Sequence, residues 1–108
     1  MADTDAAIKF IRDKAAADAF LVTQHAQQEM AEEAVLLEDV LHAIAHGQVL
    51  ENYPGHRRGS CCLLHGRDET GRDLHIVCTT TGSRLIIITV YRPRPPKWTS
   101  PTQRRVVP

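Results

Sequence analysis

Between Arg72 and Pro93, two runs rich in Ile, Val, Thr and Leu flank Thr81-Gly82-Ser83, and this pattern commits the second half of the chain to a β-hairpin. The second run, Leu85 to Val90, is apolar at successive positions instead of alternating. It therefore reads as a central strand covered on both faces. His75 and Tyr91 lie near the open end of this hairpin, where the strands leave the core. Both carry useful polar chemistry, which makes them the first candidate site residues.

Upstream the periodicity is helical. Ala7, Ile8, Ile11, Ala15 and Ala19 predict a packing helix over Asp5 to Phe20. Leu21-Val22-Thr23 reads as a link, with Thr23 capping a second helix from Gln24 to Ala34. On that helix His25, Glu29 and Glu32 share a face. A carboxylate one turn from a histidine favours the imidazolium, which can prepare a general acid; an exposed ion pair is the plainer alternative. A third helix is expected over Leu37 to His46, ended by Gly47 in a left-handed conformation. Its outer face carries Glu38, His42 and His46, and a histidine pair at this spacing can chelate a metal, although no third ligand is evident beside the ordinary solvated face.

From Gln48 the period changes to that of strands. Gln48 to Tyr53 and Ser60 to His65 precede the hairpin, joined by turns at Pro54-Gly55 and Gly66 to Gly71. Helices first and strands second predict an α+β domain, its helices packed on one face of a four-stranded antiparallel sheet. Residues 1–98 form that single domain. Residues 99–108 continue a proline-rich basic stretch, read as an extended and flexible tail, with Trp98 folding back as an anchor.

The formal charge is zero, but it is divided. Met1 to Glu51 holds ten acids against three bases, a net of −7, and the remainder holds ten bases against three acids, a net of +7. A basic half of this kind suits an anion such as nucleic acid, or simply attracts the acidic half. No apolar run approaches a transmembrane length and no basic–apolar leader opens the chain, so a cytoplasmic location without membrane contact is expected. Adjacent Cys61 and Cys62 make a poor disulfide framework, so reduced thiols are expected. Zinc is not expected either. Strand parity turns His75 and Cys78 to opposite faces, while Cys61 and His65 share a face about 13 Å apart.

In their order, His25-Ala26, Met30, Glu32, Gly47, Tyr53, Gly66, Leu74-His75-Ile76-Val77, Ile88-Thr89-Val90-Tyr91-Arg92-Pro93 and Trp98 resemble the DUF4258 family of small bacterial proteins. The likeness spans Thr23 to Trp98. It implies a fold like that of the RelE-like and MqsR-like ribonuclease toxins, some encoded beside a small zinc-ribbon antitoxin. A metal-independent ribonuclease without cofactor, acting on RNA, follows as the expected function. Two departures stand out: Glu29 and Glu33 occupy positions where the family has arginines, and Leu36 occupies that of a helix-capping serine.

Metal-free RNA cleavage needs a base, an acid and donors for the charge on phosphorus. On this reading His75 and His25 share the acid and base roles, and Tyr91 holds a phosphate oxygen or relays a proton. Arg57, Arg92 and Lys97 supply charge, and Tyr53 or Trp98 stacks on a base. A two-residue hairpin loop would pair His75 with Val90 and separate it from Tyr91. The expected three-residue loop over Thr80 to Gly82 pairs His75 with Ile87 and brings Tyr91 to its side. The competing expectation is a non-catalytic module whose acidic helices dock a protein partner, favoured by Glu29 and Glu33.

Overall fold

A computed structural model describes residues 2–106; Met1, Val107 and Pro108, assigned from sequence to the domain's start and its tail, lie outside the described residues. Three helices lead: α1 (Ala2–Ala16), α2 (Gln24–Glu33) and α3 (Leu37–His46). Thr23 caps α2, its Oγ1 accepting from the Ala26 N–H at 3.1 Å, and so satisfies one of the first-turn donors. Ala7, Ile11, Ala26, Val40 and Ile44 are buried at the spacings the helical period predicts.

The expected four-stranded antiparallel sheet of RelE type is corrected. The sheet has five strands, β1 (Phe20–Val22), β2 (Gln48–Tyr53), β3 (Cys61–Arg67), β4 (Asp73–Thr79) and β5 (Leu85–Tyr91), in the order β1-β5-β4-β3-β2. What read as the end of the first helix and a link is strand β1, parallel to β5. Asp18 breaks the helix early by turning left-handed at φ 55. Leu85 N–H then donates to Ala19 O, and Thr23 N–H to Ile87 O, closing the ladder at both ends.

Strand alternation sorts the side chains into two layers. Cys62, Leu64, Leu74, Ile76, Cys78, Ile87 and Val90 join the helices in the core cluster. Their neighbours Cys61, Leu63, His65, His75 and Thr79 therefore face the other side. That side is covered in part by a hairpin of β6 (Trp98–Ser100) and β7 (Gln103–Arg104). The proline-rich stretch thus carries regular structure after all. Among the described residues its prolines precede β6 or sit in the turn at Pro101, where no ladder hydrogen bond is lost.

Two glycines let α3 approach the sheet. A Cβ on Gly66 would press into the carbonyl of Ala43, and one on Gly47 would stand 2.5 Å from Ala43 O and 2.8 Å from His65 O. Gly47 is extended at φ −86, ψ 177 and not left-handed as expected. It is required for this contact and not for its torsion. Gly66→Ala should therefore cost about 1–3 kcal/mol, read as a lower urea midpoint at unchanged slope; an unchanged midpoint would show that α3 can back away freely.

Candidate functional site

The sheet face beneath the C-terminal hairpin brings together His75 and Tyr91 from among the side chains expected to act together. β4 and β5 pair with His75 directly opposite Tyr91. The loop is longer than the expected three residues, running from Thr80 to Arg84, and a register shift in β5 restores the parity. The ring centroids lie 5.1 Å apart. His65 on β3, opposite His75, brings its ring within 5.9 Å, and Trp98 packs edge-on at 4.4 Å.

The hydrogen bonds fix the tautomer of His75. Its Nε2 lies 2.6 Å from Pro101 O, which can only accept, so Nε2 carries the proton. Nδ1 then accepts from the Tyr91 hydroxyl at 3.0 Å. Both ring nitrogens are engaged, and the residue is 0% exposed. Burial lowers the His75 pKa from its ordinary 6.5, against the raising effect of the Pro101 carbonyl. Burial likewise raises that of Tyr91.

The surrounding charges are paired inside the molecule. Arg104 forks onto Glu51 at 2.6 and 2.8 Å while its guanidinium stacks 4.6 Å over Trp98. This bond lowers the Glu51 pKa, and Tyr53, bonded to Glu51 and partly buried, is pushed up to about 12. Asp73 accepts from His65 Nε2 at 2.7 Å; burial opposes its ionisation, but the bonds from His65 and Arg67 outweigh it and hold the pKa low.

The other expected site residues are dispersed. His25 is on the exposed face of α2, its Nε2 3.3 Å from Glu29 Oε1, and α2 packs on the helix side of the sheet. The two imidazoles expected to share acid and base roles therefore belong to opposite layers. Glu29 and Glu33 have structural duties: Glu29 accepts from Val90 N–H at 2.9 Å, beyond the point where β1 stops, and Glu33 forks onto Arg94 at 2.9 and 3.0 Å. Arg92 turns inward to Asp68, with Nη2 3.1 Å from Oδ2. Arg57 is exposed in the β2–β3 loop, and Lys97 lies 5.8 Å over the Tyr91 ring. Trp98 is 2% exposed and cannot stack on a base in this arrangement.

Sequence reasoning missed Asp68, Glu51 and Arg104. Asp68-Glu69-Thr70-Gly71 is a legible turn signature, and the Asp68 carboxylate accepts from Thr70 N–H, Thr70 Oγ1 and Arg72 N–H. Burial opposes its ionisation, yet these bonds hold its pKa far below the usual carboxylate range. The Glu51–Arg104 clamp joins distant positions and has no local signal.

An α+β fold with an imidazole–phenol pair sealed between sheet and hairpin is the class these features define. The chain belongs to the family described as Domain of unknown function (DUF4258), whose sequence model matches residues 22–92. Neither a curated protein nor a solved structure matches it. No helix among the described residues is long and apolar enough to cross a membrane.

The sealed imidazole sets a pH dependence. With the hairpin lifted, His75 would titrate at its ordinary 6.5, and burial holds it lower when the hairpin is docked. Docking is then fully favoured above the ordinary value and weakens as pH falls, by up to about 1.4 kcal/mol per pH unit until the docked pKa is passed. Trp98 emission should shift to the red between about pH 7 and pH 5, and His75→Phe should remove the shift. A pH-independent spectrum in the unsubstituted chain would contradict this.

Proposed function

We propose that this chain is a non-catalytic protein-binding module, whose docking surface is the α2–α3 turn and whose partner offers an apolar socket with a basic rim. The observation that carries it is Leu36. This residue is the N-cap of α3, where Ser, Thr, Asp or Asn would bond a free N–H, and its side chain makes no such bond. It is instead 64% exposed, next to Leu37 at 38%. Asp39 still accepts from the Leu36 N–H at 3.0 Å, so half of a capping box is in place and the returning half is missing. A residue that breaks a local stability rule and exposes an apolar side chain fits a contact site. Exposed Glu32 and Glu38 flank the pair and give the surface its charge preference.

The sealed site supports the non-catalytic part of the reading. A base or acid must reach the proton it moves, and both nitrogens of His75 are taken by Pro101 and Tyr91. The second reading, a metal-independent ribonuclease of the RelE or MqsR toxin type, has one observation in its favour: the 3.0 Å contact between His75 Nδ1 and the Tyr91 hydroxyl. A small zinc-ribbon protein, the antitoxin partner implied by resemblance, is the first partner to test.

Leu36→Ser separates fold from function. It should stabilise the chain by about 0.5–2 kcal/mol in urea unfolding, yet weaken capture of a co-expressed neighbouring zinc-ribbon protein about tenfold or more. Undiminished capture would remove the turn as the docking surface. Induced expression should leave growth and bulk RNA intact. RNA cleavage in the presence of chelator, lost in His75→Ala, would replace the binding reading with the ribonuclease one.

A further inference from the structure

The outer end of α3 has chemistry that the proposed docking surface does not use. His42 Nδ1 lies 3.0 Å from Arg67 O and His46 Nδ1 lies 3.1 Å from His42 O. A carbonyl only accepts, so when neutral each ring keeps its proton on Nδ1 and leaves the Nε2 lone pair uncommitted. This is the outer-shell arrangement that orients metal-ligating histidines. The two ring centroids are 4.6 Å apart and inclined at 43°. Two imidazoles on one metal, each with a metal–nitrogen bond of about 2.0–2.1 Å and an angle of roughly 90–110° between them, place their centroids roughly 4.5–5.2 Å apart.

Both rings line a cleft of about 350 Å³ at this end of the molecule, with Gln48, His65, Arg67 and Thr102. No carboxylate lines it, which disfavours calcium and magnesium, whereas imidazole nitrogen suits zinc, nickel and copper. The last turn of α3 adds the negative end of the helix dipole. Arg67 opposes a cation, but its Nε is turned to Asp73 Oδ1 at 3.3 Å. His65 Nε2 is held by the same carboxylate at 2.7 Å. Among the described residues no group of three donors is placed to hold a metal, so water would complete the coordination shell.

We infer that His42 and His46 form a two-imidazole site for a borderline divalent transition-metal ion at the C-terminal end of α3. The want of a third protein ligand, which weighed against the pair in sequence, is met by solvent, and the two carbonyl contacts supply the orientation that spacing alone could not.

The test is calorimetric titration of the tag-free full chain with Zn²⁺ and separately with Ni²⁺. One equivalent should bind, His46→Ala and His42→Ala should each weaken binding about tenfold or more, and His25→Ala, on another helix, should change nothing. Thermal unfolding of the metal-free variants checks that each is folded. In parallel, Ni²⁺ should broaden the imidazole resonances of His42 and His46 before those of His25. Absence of saturable binding, binding untouched in folded His46→Ala, or broadening that begins at His25 would each overturn the assignment.

Discussion

Sealing one imidazole between a sheet and a hairpin governs the C-terminal third of this chain. His75 is pinned from above by the Pro101 carbonyl and from the side by the Tyr91 hydroxyl, with Trp98 against its edge. Burying an imidazole is acceptable only when its polar atoms are bonded, and here both are. The fork from Arg104 to Glu51 and the fork from Arg94 to Glu33 fasten the same segment at two further points. The acidic and basic halves seen in the sequence therefore meet in part within the molecule, which reduces the charge left for an anionic ligand.

What the sequence made legible follows the range of each interaction. α2 is readable because Thr23 supplies a local cap, and α3 because Leu37, Val40, Leu41 and Ile44 recur at helical spacing. The central strands are readable because Leu85 to Val90 is apolar on both faces. Strand β1 is not, because Phe20–Val22 is three residues long and its partner lies more than sixty positions away. The hairpin over the second face escapes for the same reason: proline content describes its local torsions, whereas its docking depends on His75, Glu51 and Trp98.

The candidate site divides along the same line. That His75 and Tyr91 share a face was reachable from strand parity, but the register came from a shift in β5 that no loop-length rule specifies. A buried His75 satisfied by a backbone carbonyl was one sequence reading, but that the carbonyl is that of Pro101, twenty-six residues on, was not reachable. Glu29 and Glu33, which in sequence favoured a docking module, have positive assignments as a strand-edge acceptor and an arginine clamp. An arginine at position 29, with donors only, could not accept from Val90 N–H. Leu36, by contrast, gains nothing inside the fold, and it is the departure that points outward.

The central claim is that His75 is a buried, neutral tie between hairpin and sheet and not a group that meets substrate. Nitrogen-resolved NMR of the imidazole tests it most directly. The account predicts a slowly exchanging Nε2–H resonance at neutral pH, a neutral tautomer with Nδ1 bare, and titration below the ordinary histidine value of 6.5. A ring that exchanges rapidly with water and titrates at or above that value would contradict it.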